Sequence, residues 1–196
     1  MKRTRLAVFC SGAGSNFKVL FQKAKEKKLP FEFIVCVSNN SQCGAMQFAR
    51  EQGIHTIHLS SKTHPDPKEF NRALISKLSE LQIDLILLAG YMKKITPELV
   101  KEFPKRILNI HPSLLPKFGG EGLYGLKVHE AVISAGEKES GATVHFVDND
   151  YDTGEIILQE KVNVELTDTP ESLAERVLKV EHRIYIQALE KVTLHQ

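Results

Sequence analysis

Cysteine is scarce in this chain, and its scarcity is informative. Only Cys10, Cys36 and Cys43 occur among 196 residues. They form no pair at metal-ligand spacing, and any disulfide would leave one thiol over, so reduced thiols in a cytoplasmic protein are expected. Long hydrophobic runs are also missing. The longest, "IDLILLAGYM", contains Asp84 and falls far short of the roughly 20 residues that span a bilayer. The amino terminus, "MKRTRLAVFCSGAGS", begins with basic residues, but its apolar run from Leu6 to Cys10 is shorter than the roughly 7–15 residues of a signal-peptide core. Neither export nor membrane insertion is expected. No excess of one charge exists: 26 Lys and Arg against 24 Asp and Glu give a formal net charge of +2, which offers nucleic acid no broad basic surface but leaves room for a local anion site. Internal repeats, low-complexity tracts and linkers are absent.

What is present suits an ordinary globule: 42% hydrophobic and 26% charged residues. The length suits one domain over 1–196, able to bury roughly 70% of its unfolded surface. Short apolar runs ("RLAVFC", "FEFIVCVS", "HTIHL", "DLILLAG", "RILNI") alternate with amphipathic segments. The first and fourth runs are nearly continuous, as in strands covered on both faces. Helix starts are signalled by Asp66-Pro67 with Glu69, by Thr96-Pro97 and by Thr169-Pro170, and a helix stop by Gly53. This rhythm predicts an α/β fold with an open, mainly parallel twisted sheet and helices on both faces. Near the end, "GATVHFVDNDYDTGEIILQEKVNVEL" predicts an antiparallel hairpin, and "ESLAERVLKVEHRIYIQALEKV" a long carboxyl-terminal helix.

Three places could carry chemistry. In "CSGAGSNF", Gly12 and Gly14 allow tight turns, Ser15 or Asn16 is placed to cap the next helix, and the helix start suits a phosphate. The loop lacks the third glycine of the dinucleotide fingerprint, the second strand ends in "VSNN" with no acidic residue for a ribose diol, and there is no P-loop lysine. A phosphomonoester is therefore expected rather than NAD or ATP. In "ILNIHPSLLPKF", Asn109 and His111 share one side of a strand end, where open α/β sheets bind ligands. Side by side they can hold a carbonyl oxygen as it becomes an oxyanion. In "VDNDYDTG", Asp148, Asp150 and Asp152 lack the later glutamate of an EF-hand; one of them could instead orient His111 and raise its pKa, and spacing alone does not say which. His145 in "TVHFV" faces either site or core. His55 and His58 read as surface or satisfied, His182 as core, and "KAKEKK" as a solvated helix face.

The runs "NIHPSLLPKF", "SGAGSN" and "GATVHFVDNDYDTGEIILQ" together resemble the folate-dependent formyltransferase family, through nearly the whole chain and in order. The glycine-rich loop and the length resemble its glycinamide ribonucleotide branch. The resemblance implies a formyltransferase fold with a Rossmann-like amino-terminal half, a phosphate-binding half at 1–105 and a catalytic, folate-binding half at 106–196. It implies direct formyl transfer from 10-formyltetrahydrofolate, as co-substrate, to the amine of glycinamide ribonucleotide in purine synthesis, with small-molecule partners, no metal and no covalent enzyme intermediate. Asn109, His111 and Asp152 match the catalytic trio, with Asp152 keeping His111 protonated and helping to move the amine's proton. Gly14, Ser15 and Asn16 match the phosphate loop, and Glu181, with Lys179 nearby, the ribose-binding position. Met92, Lys93, Lys94 and Ile95, with Asn109 and the backbone of Asp148, Asn149, Asp150, Tyr151 and Asp152, match the folate pocket.

Three departures stand out. Lys93 occupies a position where arginine is common, keeping the charge but losing the bidentate fork for a folate tail. Thr143 replaces a common serine. The loop after Phe118 reads "GGEGLYGLKVHE", longer and richer in glycine than the family form, which leaves the role of His129 open. Neither an RNA-binding domain of the methionyl-tRNA branch nor the regulatory domain of formyltetrahydrofolate hydrolases is expected. That hydrolase activity, a sugar N-formyltransferase, and a non-catalytic sensor of phosphate ligands are the competing functions.

Overall fold

The computed structural model describes residues 3–60 and 63–194. They fall into two compact units that divide between Leu108 and Asn109.

In the first unit, β1 (Thr4–Phe9), β2 (Phe31–Ser38), β3 (His55–His58) and β4 (Leu85–Leu88) alternate with α1 (Ser15–Glu26), α2 (Gly44–Glu51), α3 (Pro67–Glu80) and α4 (Pro97–Glu102). β1 pairs in parallel with both β2 and β4, and β2 with β3. All four residues of β4 and the last four of β1 are buried, which is why these strands read as unbroken apolar runs. The helix starts follow the predicted chemistry. Asp66 accepts the Lys68 N–H at 2.9 Å, and the Thr96 hydroxyl accepts from Leu99. Gly53, at φ 70°, closes α2 as the left-handed stop expected of it.

One expected cap is not there. Neither Ser15 nor Asn16 caps α1; Gly14 holds the N-cap position at φ 72° without a side-chain bond. The reason is packing. A Cβ on Gly14 would lie 2.7 Å from Ala45 Cβ, so the left-handed turn brings the loop hard against α2 and glycine is required there.

The second unit begins inside β5 (Ile107–His111) and continues with α5 (Leu126–Ser134), β6 (Glu139–Phe146), β7 (Ile156–Asn163) and α6 (Pro170–Leu194). β6 and β7 form the predicted antiparallel hairpin. α6 packs on both strands and on α5, burying Leu173, Val177, Ile184, Tyr185 and Leu189. Its start is a reciprocal cap: Thr169 Oγ1 accepts the Ser172 N–H at 3.2 Å, and Ser172 Oγ accepts the Thr169 N–H at 3.0 Å. The order across the sheet is β3-β2-β1-β4-β5-β6-β7, so the chain is α/β with a mixed, mainly parallel sheet whose antiparallel element comes late. α5 was not anticipated: its start lies in the glycine-rich stretch after Phe118, where no cap residue announces it. No helix among the described residues is long and apolar enough to cross a membrane.

Candidate active site

β5 delivers Asn109 half-buried and His111 buried, two residues apart. A period of two places their side chains on one side of the strand. After His111 the chain turns through Pro112 and the cis Leu115–Pro116 bond, and Thr143 of β6 ties this turn down. The Thr143 hydroxyl donates to Ser113 O at 2.6 Å and accepts the Leu115 N–H at 3.1 Å. Gln159 adds donors to Leu115 O and to Thr143 Oγ1. Both roles of Thr143 are those of a hydroxyl, so the threonine found where serine is common serves equally well.

The hairpin turn supplies the carboxylate. Asp148 spends one oxygen within the turn, accepting from the Asp150 N–H at 3.1 Å and the Thr153 hydroxyl at 2.7 Å. Asp150 is exposed. Asp152 sits at φ 57°, a left-handed conformation aspartate tolerates better than most residues, and points inward. Gly154 permits this closure, because any Cβ there would collide with the Phe146 carbonyl. The folded turn thus selects Asp152 from three acidic candidates: its Oδ2 lies 3.4 Å from His111 Nδ1 and accepts the Gly120 N–H at 3.0 Å, while its Oδ1 receives Asn109 Nδ2 at 3.4 Å.

His145 joins the cluster. Its Nδ1 lies 2.8 Å from Phe146 O, and its Nε2 lies 3.1 Å from Asn109 Nδ2 and 3.5 Å from Asp152 Oδ1. A carbonyl can only accept, so Nδ1 carries the hydrogen. In the neutral ring Nε2 is then an acceptor for the Asn109 amide, and in the charged ring it is a donor to Asp152 Oδ1. The choice between site and core, open from the sequence, resolves toward the site. The strand alternation that places Thr143 and His145 on one face was the available signal.

The electrostatics are a contest. Burial pushes the His111 imidazole down, the Asp152 carboxylate and the Phe118 carbonyl pull it up, and nearby His145 pushes it down again. Burial prevails, and His111 titrates below the usual histidine range. The expected upward pull of Asp152 is real but does not decide the sign. For Asp152 burial acts upward, yet the His145 bond, the His111 charge and the Gly120 N–H outweigh it and hold the carboxyl below its ordinary range. His111 Nε2 lies 2.8 Å from Phe118 O, so both ring nitrogens face oxygen acceptors, an arrangement ready to receive a proton. His129, buried on α5, is pushed down to about 4 by burial and by His111.

The remaining predicted residues fall as follows. Lys179 is exposed on α6, whereas Glu181 is buried, an uncommon setting for a carboxylate. Gly12 and Ala13 are exposed, Gly14 and Asn16 buried, and the Ser11 hydroxyl joins the loop to its surroundings, donating to Asn39 Oδ1 at 2.5 Å and accepting the Met92 N–H at 2.9 Å. The first N–H groups of α1 have no acceptor within their own helix, which suits an anion at this loop. Met92, Lys93 and Lys94 are exposed, and Ile95 is buried. Asn149 and Tyr151 lie in the hairpin turn with Asp150.

The chain is similar to known proteins over nearly its whole length. Residues 4–189 match the formyl transferase family. Chloroplastic phosphoribosylglycinamide formyltransferases of Vigna unguiculata and Arabidopsis thaliana are 48% and 46% identical over 97% and 96% of the chain. The chain spans 61% and 65% of their lengths. The crystal structure of phosphoribosylglycinamide formyltransferase from Brucella melitensis superposes with a TM-score of 0.89 at 39% identity, covering 97% of this chain and 96% of that one. The corresponding structure from Bacillus halodurans gives 0.89 at 37%, covering 96% and 95%.

Proposed function

The chain belongs to the formyl transferase family, and on that premise we propose that it moves a formyl group from 10-formyltetrahydrofolate to the amine of N1-(5-phospho-D-ribosyl)glycinamide, a step of purine synthesis. The observation that carries this reading is the convergence of Asn109, His111 and Asp152 in one hydrogen-bonded cluster.

Each residue has a task the geometry suits. Asn109 and His111 donate to the formyl oxygen as the amine adds to the carbon and negative charge builds there. Exchanging the Phe118 carbonyl for that oxygen is within reach of His111 Nε2, which already carries a donor hydrogen. Asp152, kept ionised by its neighbours, attracts the proton lost by the amine and steadies His111 when that ring is charged. His145 is the positioning residue that turns the Asn109 amide. Gly14, Ser15 and Asn16 hold the substrate phosphate, and Glu181 with Lys179 the ribose end. Met92 to Ile95, with Asn109 and the turn from Asp148 to Asp152, hold the reduced folate; Lys93 attracts its acidic tail as a point charge. Residues 1–105 then serve as the phosphate-binding half and 106–196 as the catalytic, folate-binding half of one formyltransferase domain. Three buried free thiols support a reducing cytoplasmic setting.

The test is absorbance of 10-formyltetrahydrofolate, followed with and without glycinamide ribonucleotide. Loss only when both are present is the expected result. Loss with folate alone would make the protein a hydrolase, and no loss at all a sensor.

A further inference from the structure

At the amino-terminal ends of β1, β2 and β3, the end opposite the Gly12–Asn16 loop, the first unit carries an open cavity of about 600 Å³. This lies within the size range of small-molecule pockets. Its wall is aromatic: Phe21, Phe31 and Phe33 line it, with the Phe21 and Phe33 rings edge-on at 5.5 Å. Its rim is basic: Arg3, Lys25 and Lys28 face it, and Lys25 Nζ stands over the Phe21 ring at 5.2 Å. The single carboxylate of the lining, Glu32, is already engaged by Arg5 at 3.2 Å. Arg3 and Lys28 have no carboxylate partner among the described residues.

Packing explains one side of these rings, since Phe33 also lies 5.9 Å from Phe17 and Phe21 5.6 Å from Phe48, but it does not explain the basic rim over their open side. A helix end solvated for its own sake does not require partly exposed phenylalanines, Phe21 and Phe33, beneath its lysines. A fold closing an apolar core does not leave the core open beneath three cations. From the aromatic wall and the unneutralised rim together, we propose that this cavity binds a planar aromatic anion of nucleotide type, its ring against Phe21 and Phe33 and its anionic group among Arg3, Lys25 and Lys28. The site is separate from the phosphate loop, since it lies at the other end of the same parallel strands.

Adenosine monophosphate is the probe, titrated into the full ¹⁵N-labelled chain and followed by amide shifts. Saturable shifts at Leu29, Phe33 and Gly53 are expected. The double variant Lys25→Glu, Lys28→Glu, both exposed, weakens that binding about tenfold or more, as loss of charged donors should. Ribose 5-phosphate, which lacks the ring, binds those amides about tenfold or more weakly than adenosine monophosphate, the worth of one base stacked on an aromatic side chain. Shifts confined to Gly12–Asn16, or none, would overturn the proposal. So would equal affinity for ribose 5-phosphate, or unchanged affinity in the charge-reversed variant.

Discussion

The Asn109 amide nitrogen stands 3.1 Å from Nε2 of His145, thirty-six residues further along the chain. Because Nδ1 of that ring is committed to the Phe146 carbonyl, the amide cannot turn over without losing its acceptor. His145→Phe should therefore leave the Asn109 amide held only by its longer bond to Asp152 Oδ1 at 3.4 Å. On the proposed chemistry we expect turnover to fall about tenfold or more, the value of one lost positioning hydrogen bond, with little change in KM. Steady-state kinetics decide it; a change confined to KM would refute the positioning role.

His111→Ala removes the donor aimed at the developing oxyanion. Turnover should drop by about 10²–10³. The circular dichroism spectrum should be preserved, because the lost ring is one member of a polar cluster rather than of the apolar core. A folded variant with near-normal turnover would contradict the role.

Asp152→Asn removes the one anion that pulls His111 upward against burial. Imidazole protonation should move to still lower pH, and a histidine ¹³C or ¹⁵N titration reads this directly. The acid limb of the pH–rate profile should change with it. An unaltered His111 titration would show that the carboxylate is electrostatically idle.

His129 carries a stability prediction with a definite sign. Its titration is depressed from 6.5 to about 4 in the folded protein. The unfolded chain therefore binds a proton first as pH falls, and stability is full above about 6.5 and lost as pH drops toward 4. His129→Leu removes that linkage and the buried Nδ1, which has no hydrogen-bond partner among the described residues. Denaturant melts should show the variant gaining on the parent by on the order of 2 kcal/mol between pH 7 and pH 4. Parallel stability curves would overturn it.

Gly14→Ala tests the loop. The substitution places a methyl group 2.7 Å from Ala45 Cβ and keeps φ at 72°, so a loss of about 1–3 kcal/mol is expected. If the loop holds the substrate phosphate, KM for the ribonucleotide should rise while KM for the folate stays.

Much of this protein was legible residue by residue. The buried runs of β1 and β4, the Asp66 and Thr96 caps and the alternation of β7 depend on backbone preference and side-chain period, which act over a few residues. Asn109 and His111 could be placed on one side because a strand repeats every two residues. The start of α1 was misread, since Ser15 and Asn16 look like caps while the deciding contact is Gly14 against Ala45, thirty-one positions away. α5 was missed because the preceding glycines are compatible with almost any path.

The sequence by itself determined the elements, their order and the short list of polar groups able to do chemistry. Tertiary structure decided which acidic residue meets His111, which face His145 presents, and that burial outweighs Asp152 in setting the imidazole's charge. The division has one cause. Dihedral preference and apolar period are local, whereas a hydrogen bond across 43 residues and the loss of water around a ring exist only once the chain has closed on itself.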